Sequence, residues 1–432
     1  MGATAGPFPP ALRRGTLRSP ARVAQLDRAS VFGTEGWGFE SLRARLLHPA
    51  ARACIEAVER AHAAAPTATP DAELARAVAR LSDLYTTDRD ALAREQADPA
   101  HLAAKREYFL ASDAPKVSLA LDECARRSDR YARLADLDTM RVTDLGAGVG
   151  ATSVGFLAWL AGARAARGIA MPARVELHAI ELGEPAARAY EASVRAAASA
   201  AGVTVALMIE ARDFRRFTPP ECDLILCQTA LNELLVGAEH ARETVQMVAG
   251  WTRAAPLLVV EPALKTTTRA LMSLRDALLA LGGAHVVAPC LHQRPCPMRG
   301  REGDWCHEAR VVEPTPRVAA IDRIVRRRDE RALYAFLATA PDAAPAENAR
   351  GASTVRLVTD TLGSRGKTER LVCRGDGELR LMRLLDREVS EMNRAFLDAE
   401  RGSVIALDPL PANDRIAPAI AVRTENDADF VV

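Results

Sequence analysis

The chain has 432 residues, 49% hydrophobic and 26% charged, with a formal net charge of +1, enough for two or three domains around a large buried core. No apolar run approaches the roughly 20 residues of a membrane-spanning helix, and so balanced a charge gives no overall electrostatic sign of a nucleic-acid partner. Of 57 basic residues only Lys105, Lys116, Lys265 and Lys367 are lysines, so a local arginine excess reflects a GC-rich genome before it reflects function.

The first stretch stands apart. "VAQLDRASVFGTEGWGFESLRAR" (Val23–Arg45) resembles the translation of a tRNA gene, with Val23–Ala29 fitting a D-arm and Gly38–Ser41 a T-loop. It has neither helical nor strand periodicity. Residues 1–45 are therefore expected to be a spurious extension upstream of the true start, the alternative being a disordered tail or targeting peptide.

From Ala51 to about Arg133, "ARACIEAVERAHAAA", "DAELARAVARLSDLY" and "LAAKREYFLASDAPKVSLALDECARR" repeat apolar residues every three or four positions, which predicts an α-helical module over 46–138. The period then changes. Short apolar runs at 140–150, 174–182, 203–213, 222–230, 256–262 and 284–289 alternate with helical stretches, predicting a doubly wound parallel sheet over 139–338. A Pro/Ala-rich linker is expected at 339–353, followed over 354–432 by a small β-rich module with a Gly-Asp-Gly turn.

"VTDLGAGVGATS" ends a strand and opens a helix, where such folds meet a nucleotide or nucleoside. Gly146, Gly148 and Gly150 allow a tight turn and close approach of a ligand. A nicotinamide fingerprint would place a pyrophosphate on the helix N-terminus. The carboxylate of Asp144 would repel one, but it suits the cationic end of S-adenosylmethionine. The stretch resembles motif I of class I S-adenosylmethionine-dependent methyltransferases. That resemblance implies a Rossmann-like fold, a ribose contact from Glu181 and an adenine contact from Asp213 with Phe214 alongside. "CDLILCQTALNEL" on the fourth strand carries neither the Asn/Asp-Pro-Pro-aromatic motif nor a Pro-Cys motif. Cys227, in an apolar run, reads as a core thiol. Gln228, Asn232 and Glu233 remain the catalytic candidates, against a plain reading as capping and solvated residues.

The loop "APCLHQRPCPMRGREGDWCH" (288–307) holds three of the eight cysteines, Cys290, Cys296 and Cys306, and "RLVCRGDG" adds Cys373. Without a signal-peptide pattern such clustering points to a reducing compartment and to metal rather than bridges. Four thiolates close a tetrahedral zinc site or complete the ligand set of an iron–sulfur cluster. The wide spacing favours a cluster; zinc, with His292 or His307 replacing a thiol, and free thiols are the alternatives.

"VVAPCLHQRPCPMRGREGDWCHEARV", with "LLVVEPALKTTTRALMSLRDALL" and "CQTALNELL" before it, is similar to the small-ribosomal-subunit methyltransferase-like family of bacterial proteins and mitochondrial assembly factors. The likeness runs over roughly Ala100–Glu400. It implies a [4Fe–4S] cluster on the four cysteines, although Leu291 and Glu308 depart from the family's usual Pro and aromatic. If "AHVVAP" is the sixth strand and "EARVVEP" the antiparallel seventh, the loop leaves the cofactor edge of the sheet, and Cys373 makes the cluster a staple to the C-terminal module. The function expected is rRNA methylation or assembly on the small ribosomal subunit, in a bacterial cytoplasm, by a monomer that is not membrane-bound. A non-catalytic assembly factor that keeps the fold, and a methyltransferase with structural zinc, are the alternatives. Arg317, Arg323, Arg326, Arg327, Arg328, Arg365, Lys367, Arg370 and Arg374 are the candidate phosphate contacts.

Overall fold

A computed structural model describes residues 47–87, 98–172, 174–235, 238–327, 331–341 and 353–425, all within one unit, Ser41–Val432. The expected extension at 1–45 and most of the expected linker lie outside the described residues.

Helices Pro49–Ala63, Asp71–Thr87 and Leu110–Arg127 come from the amphipathic stretches before residue 133. Between the last two, Pro99–Ala104 runs into a π-turn, Lys105–Phe109. Helix Leu110–Arg127 crosses helix Ala151–Ala166 at Gly155, where an added Cβ would stand 2.4 Å from the Ala114 carbonyl oxygen. The Ser118 hydroxyl donates to the Gly155 carbonyl at 2.6 Å, so the crossing is fixed by a bond as well as by the missing side chain.

Among the described residues eight strands make one sheet. In chain order they are β1 (Thr139–Leu145), β2 (Arg174–Glu181), β3 (Val205–Ala211), β4 (Leu224–Gln228), β5 (Leu257–Pro262), β6 (His285–Ala288), β7 (Glu308–Val311) and β8 (Arg331–Ala340). Their order is β3-β2-β1-β4-β5-β8-β6, with β7 also on β8. Strands β1 to β5 are mutually parallel and β8 is antiparallel to β5 and β6. Every residue of β4 is buried, as expected for a parallel strand covered by helices on both faces.

One expectation is corrected. The antiparallel strand beside β5 is Arg331–Ala340, not "EARVVEP"; Glu308–Val311 only extends the sheet along β8 beyond β6. The physical reason is length and apolarity. "ALYAFLATA" can span the sheet, while the stretch at 308 is broken by Pro314 and gives way to helix Pro316–Val325.

Among the described residues seven further strands make a second sheet, β9 (Thr354–Leu357), β10 (Leu362–Ser364), β11 (Lys367–Arg374), β12 (Leu379–Leu385), β13 (Val404–Asp408), β14 (Arg415–Ile416) and β15 (Ala421–Thr424). Its order is β14-β12-β11-β9-β13-β15, with β10 on β11.

A buried ionic network joins the two sheets. Arg356 on β9 donates to Glu123 at 2.7 Å and also to Glu308. Arg127 lies 2.8 Å from Glu123, and Arg310 2.8 Å from Glu308. Arg127 and Arg356 each donate to the Pro289 carbonyl at 2.9 Å, which ties the start of the cysteine loop into the same network. Burial opposes ionisation of Glu123, but Arg127, Arg356 and Arg310 outweigh it and hold its carboxyl far below the usual carboxylate range.

Candidate functional site

The carboxyl ends of β1, β2, β4 and β5 meet at one edge of the first sheet, the place where ligands bind in doubly wound folds. Gly146, Gly148 and Gly150 all have positive φ there. Gly146 needs it most, because a Cβ at φ +70° would stand 2.6 Å from the Cβ of Ala230. The turn is held from β2. Glu181 accepts from the Gly148 N–H through Oε2 and from the Gly183 N–H through Oε1, both at 2.8 Å.

Asp144 is fully buried. Its Oδ2 accepts from Ser153 at 2.6 Å, Ser153 meets the Tyr190 hydroxyl at 2.8 Å, and Oδ1 has no hydrogen-bond partner among the described residues. Burial pushes Asp144 up to about 7, opposed by the Ser153 hydroxyl. A carboxylate buried beneath a glycine turn favours a positive charge nearby, which the ammonium and sulfonium of a cationic ligand supply. The residues present therefore fit S-adenosylmethionine. Asp213 is placed differently from a free adenine contact, because it pairs with Arg215 at 2.5 Å. Phe214 does border the turn, 3.5 Å from the Cβ position of Gly146.

The three catalytic candidates separate. Gln228 accepts from Thr152 and donates to the Asp113 carbonyl, both at 3.2 Å, and so fastens β4 to the N-terminal helices. Glu233 is exposed. Asn232 is buried and bonds Glu261 at the end of β5, backbone N–H to Oε1 at 3.1 Å and Nδ2 to Oε2 at 2.6 Å. Burial pushes Glu261 up to about 7, against the Asn232 hydrogen bonds. Glu261 was missed in the sequence, although it obeys the rule that singled out Asp144 and Glu181, an acid at a strand end. Lys105 was missed too. From the π-turn it lies within the fields of Glu181 and Glu233, and burial lowers its ammonium below the usual value. A cavity of about 550 Å³ bounded by Tyr108, Asp113, Lys116, Asp322 and Arg327 lies apart from the glycine turn.

The four predicted cysteines come together. Cys290, Cys296, Cys306 and Cys373 line one small cavity with His292 and Arg356. Cys373 lies across from Arg356 in the β11–β9 register, and its Sγ is 3.5 Å from the Nε2 of His292. Met272, Met298, Val358 and Leu371 form an apolar shell around them. Burial and the neighbouring Cys290 thiol push Cys296 up to about 11, the mutual penalty of thiols crowded into a space from which water is excluded. Among the described residues no three His, Cys, Asp or Glu side chains close on a point tightly enough to hold a metal. Cys54, Cys124, Cys222 and Cys227 are buried elsewhere.

The candidate phosphate contacts are mostly spent on the protein itself. Arg317 bonds Glu107 and the Thr69 carbonyl, Arg327 the Tyr108 hydroxyl, and buried Arg370 the carbonyls of Thr359, Phe396 and Ala399. Lys367 pairs with Glu369 and Arg374 with Asp376. Arg323, Arg326 and Arg365 are exposed, and Arg328 lies outside the described residues.

The strand order, the single antiparallel strand beside β5 and the glycine turn after β1 define the fold of class I S-adenosylmethionine-dependent methyltransferases. The sequence model of the mitochondrial small ribosomal subunit Rsm22 family matches residues 116–395, more than half of the chain, and the chain belongs to that family. Among solved structures it is similar to the bifunctional kinase-methyltransferase WbdD, at 10% identity and a TM-score of 0.27 over 59% of this chain and 48% of that one; the chain spans about half of that protein's length. It is also similar to YjhP from E. coli, at 14% identity and a TM-score of 0.24 over 50% and 92% of the two chains. An RNA methyltransferase from Salinibacter ruber in complex with S-adenosyl-L-homocysteine matches at 17% identity and a TM-score of 0.18 over 31% and 72%. No curated protein sequence matches this one. Among the described residues no helix is long and apolar enough to cross a membrane.

The glycine turn gives a direct test. Gly146→Val places a branched side chain against Ala230 at a φ that valine avoids, and Glu181→Ala frees the Gly148 N–H. Calorimetry should find S-adenosylmethionine affinity lowered at least about tenfold in both, a loss of ~1.4 kcal/mol. Undiminished binding in both would remove the cofactor from this turn.

Proposed function

We propose that this protein binds S-adenosylmethionine at the β1 turn and methylates RNA of the small ribosomal subunit, with a [4Fe–4S] cluster on Cys290, Cys296, Cys306 and Cys373 holding the second sheet to the first. The observation that carries the methyl-transfer reading is the turn of three left-handed glycines at the carboxyl end of β1, set in the strand order of a class I methyltransferase. Family membership supports the small subunit as the place of action. In the cluster, the four soft ligands come from two sheets, so binding it adds to the stability of their junction; Met272, Met298 and Leu371 would shield its sulfides from water. The division into a helical module (46–138), a methyltransferase domain (139–338) and a β-rich module (354–432) belongs to this proposal.

A second reading has one observation in its favour. Each Glu181 oxygen already accepts a backbone N–H, so the carboxylate serves to hold the turn closed, as suits an assembly factor that keeps the fold without turnover. One experiment separates the two. The protein is crosslinked to RNA in cells, and methylated nucleosides of small-subunit rRNA are compared with and without the gene. A missing methyl group at a crosslinked site is expected for the enzyme. Crosslinks with an unchanged methylation profile would favour the assembly factor, and no rRNA crosslink would remove the ribosome from both readings.

A further inference from the structure

The loop after β4 is strained and anchored in one place. Thr229 has φ +57°, in the left-handed region that a β-branched residue avoids. Ala230 lies against the glycine turn. Two residues on, Asn232 is only 8% exposed, and Glu261 takes both its backbone N–H and its Nδ2. Facing the carboxylate, the side-chain amide must present its NH2, so its carbonyl points the other way. That Oδ1 accepts no hydrogen bond among the described residues, yet it is not among the buried atoms sealed from solvent. A buried amide with a satisfied donor and an idle acceptor, fixed beside a cofactor turn, is placed to receive an N–H or O–H from a ligand.

Resting on the methyl-transfer reading above, we propose that Asn232 is the group that receives the methyl acceptor, that Glu261 is its positioning residue, and that the acceptor is the exocyclic amino group of an RNA base. The choice of amine over hydroxyl follows from what an amide can do. An amide oxygen accepts a hydrogen bond but takes no proton, and both Glu261 oxygens are turned to Asn232. A ribose hydroxyl needs a base to remove its proton during transfer, whereas an amine attacks with its proton still attached. An acceptor bond from Oδ1 draws the amino group out of conjugation with its ring and localises the lone pair on nitrogen. Bound at the β1 turn, S-adenosylmethionine supplies an electrophilic methyl. The nitrogen lone pair forms the new N–C bond as the methyl's C–S bond breaks; the sulfur keeps that pair as neutral S-adenosylhomocysteine, and the methylated nitrogen releases one proton to water.

The test uses the full chain, tritiated S-adenosylmethionine, and small ribosomal subunits from cells lacking the gene. The wild type should yield an N-methylated base on nucleoside analysis. Asn232→Ala should bind S-adenosylmethionine within about threefold of wild type while kcat falls about 100-fold, the scale for losing a transition-state hydrogen bond. Glu261→Gln can turn its own NH2 toward Asn232 and flip that amide, so its kcat should fall at least about tenfold with KM for the subunit unchanged. Transfer by Asn232→Ala at the wild-type rate, or a methyl found on a ribose oxygen or a carbon, overturns the assignment alone. If Asn232→Ala fails to fold, a Glu261→Gln variant with full kcat overturns it. A wild type that transfers nothing overturns the methyl-transfer reading and this assignment together.

Discussion

Arg356→Met should destabilise the protein by about 3–5 kcal/mol, the cost of removing one partner from a buried ion cluster. Methionine has nearly the volume of the arginine stem, so the loss is electrostatic rather than a cavity. Arg356 is 2% exposed and bonds Glu123, Glu308 and the Pro289 carbonyl. Without it two buried carboxylates share Arg127 and Arg310, and the Pro289 carbonyl at the start of the cysteine loop loses one of its two arginine donors. Urea unfolding reads the effect, and Arg356→Met with Glu308→Gln should recover part of it, because the second change removes a charge the first left uncompensated. A single-variant loss under about 1 kcal/mol would mean that the network is solvated. The network should also fail in acid. Glu123 has a depressed folded pKa, so its contribution is full above the unfolded carboxylate value of about 4.3 and disappears as pH falls from there toward the folded value. Gly402 lies against one of these carboxylates, at φ +89° with its Cβ position 1.8 Å from a Glu308 oxygen, and Gly402→Ala should be destabilising for that contact alone.

Cys373→Ser should cost more. Protein purified without oxygen is expected to be brown with about four irons per chain. Replacing Cys290, Cys296, Cys306 or Cys373 should remove the iron, and with it a binding energy that for structural zinc in small peptides is on the order of 10 kcal/mol. Cys373 is the most informative, since it reaches the site from β11 while the other three lie on the loop after β6. Cys54, Cys124, Cys222 and Cys227, buried away from the cavity, should be replaceable with iron intact. His292 is the rival ligand by position, 3.5 Å from the Cys373 sulfur. If Cys373→Ser keeps its metal while His292→Ala loses it, the fourth ligand is the histidine. Colourless protein with one zinc per chain would replace the cluster by a structural zinc.

What the sequence by itself determined is local in origin. Period 3.6 before residue 133 and short apolar runs after it are enough to set helices, parallel strands and their alternation along the chain, because each element must bury one face or both. The glycine turn was legible because only glycine accepts those φ values at close approach. That Cys290, Cys296, Cys306 and Cys373 form one group was legible from their concentration among prolines, and they meet in one small cavity. Tertiary structure decided everything that depends on pairing across distance. It gave the antiparallel place in the first sheet to Arg331–Ala340, since a longer apolar strand buries more than the stretch after the cysteine loop. It turned Arg317 and Arg370 inward onto carbonyls and a carboxylate and laid the exposed Arg327 against the Tyr108 phenol, which no spacing of arginines along a chain reveals. It joined Asn232 to Glu261 across 29 residues, and Arg356 to Glu123 across 233. A buried charge has to be met by an opposite charge or a donor wherever the fold brings one, and the sequence holds the partners without saying which will meet.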